Sequence, residues 1–108
     1  MVNTSNSGVS PKIESRIFEL TTEATVKVKM VELKLKTIVH DYAALRIQID
    51  QIKKDVDFVE YGINSITYFK ILVAIEAEFG FEFGDNDLGP YQFKSLETLL
   101  IYVMDKVL

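Results

Sequence analysis

The chain has 108 residues, the length of a single domain, and its 48% hydrophobic and 26% charged residues exclude wholesale disorder. Cysteine is absent and His40 is the one histidine, which rules out disulfide scaffolds, thiolate zinc sites, cysteine nucleophiles and histidine metal cages. The net charge is −4, unevenly placed: residues 1–54 carry +3 and residues 55–108 carry −7. An acidic chain repels a phosphate backbone, so no nucleic-acid partner is expected, and whatever meets the second half is expected to be basic.

The opening MVNTSNSGVSP has neither a basic nor an apolar region of the secretory kind. The apolar stretches at 71–75 and 99–104 are far shorter than the roughly 20 residues of a membrane span. A soluble, cytoplasmic protein with no membrane partner is the expectation.

Residues 1–9, rich in Ser, Asn and Gly, read as a mobile tail. Ser10-Pro11 reads as an N-cap followed by proline at the first helical position, opening a short helix to about Leu20 with Ile13, Ile17 and Phe18 or Leu20 on one side. From about Glu23 to Leu45, Val28, Val31, Leu35, Ile38, Tyr42 and Leu45 recur at steps of three and four, an amphipathic helix with one apolar seam. The seam covers about two and a half heptads, short for a coiled coil. It suits one helix of a bundle, or a dimer contact.

Residues 46–64 break this period and read as a short strand or a long ordered loop, pinned to the core by Phe58 and Val59. Gly62 supplies backbone freedom before the next helix. Asn64 and Ser65 are both N-cap types. Ile66, Phe69, Leu72, Val73, Ile75 and Phe79 then form a broad apolar face, and Gly80 ends the helix. Most of that face, Phe69, Val73 and Phe79 included, reads as core, with Ile66 left for partners. Residues 81–94 leave room for one helical turn near Leu88–Phe93. Ser95 caps a last helix with Leu96, Leu99, Leu100, Val103, Met104 and Val107 at helical spacing.

Chemistry is sparse. His40 falls opposite the apolar seam and reads as an exposed helix residue. Asp55/Asp57 and Asp85/Asp87 read as solvated loop charge, although paired carboxylates can do acid–base work. The acidic run from Asp85 fails as a calcium loop, because the sixth and twelfth places hold Pro90 and Leu96 instead of Gly and Glu. No glycine-rich phosphate loop is present. No catalytic residue and no metal ligand is assigned. What remains is Ser65, at the positive end of a helix dipole, where a phosphate on its hydroxyl would be stabilised. Taken alone, the stretch reads first as Ser65 or Asn64 capping the helix.

The stretch from Phe58 through Gly62, Asn64, Ser65 and Ile66 resembles the phosphopantetheine attachment site of acyl and peptidyl carrier proteins. Glu76-Ala-Glu78-Phe79-Gly80 resembles that family's acidic, aromatic helix end. Asp87-Leu88 with Phe93-Lys94-Ser95-Leu96 resembles its short third helix and the start of its fourth. The resemblance covers roughly residues 27–108. Tyr61 replaces the usual leucine before the glycine, Asn64 replaces Asp or His before the serine, and Lys70 stands where fatty-acid carriers are acidic.

The resemblance implies an all-α, four-helix acyl-carrier-like bundle over 23–108, with a long first loop, a short third helix and an N-terminal extension over 1–22. It implies a non-enzymatic acyl or peptidyl carrier that holds an acyl or aminoacyl thioester on 4′-phosphopantetheine attached to Ser65. Ile63, Asn64 and Ile66 would meet partners: a phosphopantetheinyl transferase and acyl- or aminoacyl-loading and condensing enzymes. The departures suit a stand-alone, monomeric carrier in a specialised biosynthetic pathway better than a fatty-acid role. The competing reading is an unmodified helical interaction domain, dimeric through the 28–45 helix.

Overall fold

The computed structural model describes residues 11–84, 87 and 92–107. It is helical. Helix α1 spans Pro11–Tyr42, α2 spans Ser65–Phe79 and α3 spans Leu96–Val107, with 3-10 turns at Ile49–Gln51 and Phe58–Tyr61. The expected tail over 1–9, the Ser10 cap and most of the expected turn at Leu88–Phe93 lie outside the described residues.

The two helices expected before residue 45 are one. Leu20-Thr21-Thr22-Glu23 contains no Gly or Pro, and threonine lowers helix propensity without stopping a helix. The Thr25 hydroxyl donates to the Thr21 carbonyl at 3.0 Å, so the segment stays within the helical ladder. Residues 31–108 form one compact unit, and the helix before residue 31 belongs to a second unit.

In the compact unit α1 buries Val31, Leu35 and Val39, a stripe at strict four-residue steps. The heptad seam therefore needs correction. Ile38 is only half-buried and Tyr42 is 51% exposed. A helix of about 3.6 residues per turn drifts off a 3.5-residue seam, so Val39 replaces Ile38 in the core. The helix also stops earlier than expected. Ala44 is left-handed (φ 50°), and the Leu45 N–H turns back to the His40 carbonyl at 3.1 Å. This closes the helix without the glycine that usually marks such an end.

The segment from 46 to 64 is an ordered loop, not a strand. Phe58 anchors it in the core, whereas Val59 is exposed. Two main-chain bonds fasten the loop to the start of α3: Phe58 N–H to the Lys94 carbonyl at 2.7 Å, and Glu97 N–H to the Lys54 carbonyl at 2.9 Å. His40 joins in. Its Nε2 donates to the Ile47 carbonyl at 2.9 Å, and its Nδ1 lies 3.2 Å from the Asp41 carboxylate, so it is half-buried rather than freely exposed.

The core residues of α2 are Tyr68, Ile71, Leu72 and Ile75, all fully buried, as are Leu96, Leu99 and Val103 of the last helix. Phe69 and Val73 are not core, contrary to expectation, and Phe79 is only half-buried. Gly80 ends α2 in the left-handed region (φ 73°), its N–H on the Glu76 carbonyl. Leu96, Leu99, Leu100, Val103 and Met104 are buried as the spacing predicts, with Val107 half-buried. Ser95 opens α3 reciprocally with Thr98: Ser95 N–H reaches the Thr98 hydroxyl, and that hydroxyl donates to the Ser95 carbonyl at 2.7 Å.

Candidate functional site

The loop delivers the chain to Ser65 in a fixed order. The turn Phe58–Tyr61 hangs from the buried Phe58 ring, which lies 6.1 Å from the Tyr68 ring. The Tyr61 hydroxyl accepts the Lys53 N–H at 2.8 Å, bracing the turn against the preceding loop. Gly62 then adopts φ 75°, ψ 20°, a left-handed conformation that costs other residues about 1–2 kcal/mol. This reversal drives Ile63 into the core, where it is 3% exposed, and returns its N–H to the Phe58 carbonyl at 3.2 Å.

Asn64 follows in an extended conformation and is the cap of α2. Its side-chain oxygen accepts the Thr67 N–H at 2.9 Å, and its carbonyl accepts the Tyr68 N–H at 2.8 Å. Sequence left the cap open between Asn64 and Ser65; the geometry assigns it to Asn64. Ser65 is the first residue of α2, exposed, and its hydroxyl makes no hydrogen bond among the described residues. It stands between two buried anchors, Ile63 and Tyr68, so its backbone is held from both sides while its hydroxyl faces solvent. The first-turn amides of a helix have no partner inside it, and α2 has no acidic residue in its first turn to oppose an anion.

Of the three residues expected to meet partners, Ile63 is turned inward and presents no surface. Asn64 and Ile66 are exposed, Ile66 at 68%. Tyr68, fully buried, was missed by the sequence reading, which left it out of the apolar face of this helix. The two loop carboxylates Asp55 and Asp57 are exposed, and Asp57 and Ser95 form an isolated bridge. Asp85 lies outside the described residues. Among the described residues no group of acidic and histidine side chains could hold a metal ion, and no helix is long and apolar enough to cross a membrane.

The family model for the phosphopantetheine attachment site matches residues 26–103. The chain therefore belongs to the phosphopantetheine-binding family of acyl and peptidyl carrier proteins, whose members hold 4′-phosphopantetheine covalently. It is a carrier protein. Such carriers are generally non-catalytic and work with a phosphopantetheinyl transferase and with biosynthetic enzymes. A search of curated proteins finds no match to the chain.

Proposed function

We propose that Ser65 is the attachment residue, and that the protein is a stand-alone carrier presenting an acyl or aminoacyl thioester to the enzymes of a specialised pathway. The observation that carries this reading is the division of labour at the head of α2. Asn64 does the capping, which leaves the Ser65 hydroxyl exposed and uncommitted. A phosphodiester there would face the unpaired amides of the first turn and the positive end of the helix dipole. The group supplies the thiol that a chain without cysteine lacks. The protein's own part is to hold the hydroxyl outward on a braced turn. The carrier domain is taken as 23–108, with 1–22 as an extension.

Intact-mass spectrometry tests this directly. The full chain, incubated with coenzyme A and a broad-specificity phosphopantetheinyl transferase, should gain one phosphopantetheinyl group, and Ser65→Ala should gain none. A gain on Ser65→Ala would move the site elsewhere.

A further inference from the structure

The buried stripe of α1 has a continuation upstream. Val31, Leu35 and Val39 are core. Counting back from Val31 in steps of three and four reaches Val28, Ala24, Leu20, Ile17 and Ile13, so that positions 13, 24 and 35 lie eleven residues apart, as do 17, 28 and 39. An eleven-residue repeat, about 3.67 residues per turn, keeps such a row on one face of a helix. Upstream of residue 31 the row is not core: Leu20 is 60% exposed, Ala24 is exposed and Val28 is half-buried.

This row needs a cover. Isolated helices shorter than about 12–15 residues are marginal even when rich in alanine, and most helix stability in proteins comes from packing an amphipathic face. Residues 19–30 include Thr21, Thr22, Thr25, Val26 and Val28, β-branched residues that lower helix propensity further. The ten residues before α1 offer only Met1, Val2 and Val9 as apolar side chains, too few to fill the row. Val31, Leu35 and Val39 are already taken up by the chain's own core, which closes the dimer seam considered over 28–45 at those positions. What is left to meet a partner is the upstream row.

Size and charge say which partner fits. Laid antiparallel on a second copy about a two-fold axis, the row sets position 13 opposite 24 and position 17 opposite 20, so isoleucine meets alanine and isoleucine meets leucine. The same register sets position 16 beside position 23 of the second copy, twice over, and these hold Arg16 and Glu23. A parallel pair in register would set Ala24 on Ala24, leaving a gap, with Arg16 beside Thr21 and Glu23 beside Val28 and no ion pair. Exposed ion pairs add little affinity, but they choose orientation. We propose that residues 13–24 of α1 form an antiparallel two-fold contact with a second copy of this chain, so that the protein is a homodimer in place of the monomer expected from its sequence. Such a contact is self-complementary and stops at two chains. It does not depend on which serine carries the arm.

Analytical ultracentrifugation of the full chain over a concentration series tests this. The expected result is a monomer–dimer equilibrium. Leu20→Glu, at an exposed position, should abolish the dimer and leave the near-ultraviolet circular dichroism of the packed Tyr68 and Tyr102 unchanged, which reports an intact core. Arg16→Glu and Glu23→Arg should each weaken dimerisation on the order of tenfold, because each turns two opposite-charge pairs into two like-charge pairs. Mixed together, the two variants should dimerise as tightly as the wild type, since the antiparallel register sets 16 of one against 23 of the other. A chain that stays monomeric at its highest soluble concentration, a dimer indifferent to Leu20→Glu, or a mixture no tighter than its components overturns the proposal.

Discussion

The Tyr68 hydroxyl accepts the backbone N–H of Phe93 at 2.9 Å, in the interior, across 25 residues of sequence. One side chain of α2 thus satisfies a main-chain donor in the segment that leads to α3. Removing the hydroxyl while keeping the ring leaves that donor buried and unmatched, which costs about 1–3 kcal/mol. Tyr68→Phe should lower the denaturant midpoint by the corresponding amount. An unchanged midpoint would show that another acceptor reaches the Phe93 amide.

Capping and presentation are separable at the head of α2. Asn64→Ala removes the acceptor of the Thr67 N–H and should cost about 1 kcal/mol. Ser65→Ala removes a hydroxyl that holds nothing and should stay within about 0.5 kcal/mol. Paired urea melts check the contrast. Equal losses would mean that the serine shares the cap.

Ala44 stores strain that a substitution can release. Its left-handed backbone costs about 1–2 kcal/mol, and glycine would relieve this at an unfolded-state entropy cost of about 0.4–1 kcal/mol. Ala44→Gly should therefore stabilise the protein by up to about 1.6 kcal/mol. A rise in thermal midpoint is the expected reading, and a fall would count against the left-handed turn.

Tyr102 gives the protein an alkaline signature. Its ring lies against Phe81, Phe83 and Phe93, and its hydroxyl donates to the Asp87 carboxylate at 3.0 Å. Burial first, and then the Asp87 hydrogen bond, push its pKa above the ordinary 10.0. A raised value means the folded state favours the neutral phenol. The resulting stability is full below pH 10.0 and is lost as pH rises through the folded pKa. The stability lead of wild type over Tyr102→Phe should hold at neutral pH and shrink above that point. A lead that grows with pH would reverse the sign.

The helices were legible where one face is buried and the other wet. The last helix is the clean case, with Leu96, Leu99, Leu100, Val103 and Met104 all inside. Helix α2 was misread because it is apolar on both sides: Phe69 and Val73 carry the hydrophobicity of core residues without the burial. Tyr68 was missed for the opposite reason, a polar atom on a ring that packs like phenylalanine and finds its hydrogen bond 25 residues away. The end of α1 left no trace, since alanine does not announce a left-handed turn. At the site, the Gly62–Ser65 spacing was readable. The choice of Asn64 over Ser65 as cap rests on a dihedral pair and one side-chain bond, and composition carries neither.

The loop that carries the chain to Ser65 is fastened to α3 by main-chain atoms: the Phe58 amide on the Lys94 carbonyl and the Glu97 amide on the Lys54 carbonyl. Those two ties are blind to the side chains at 54, 94 and 97, and only proline at 58 or 97 would delete a donor. Positions 54, 94 and 97 are exposed, so their charges can be rewritten one by one while the frame that presents the serine stays put.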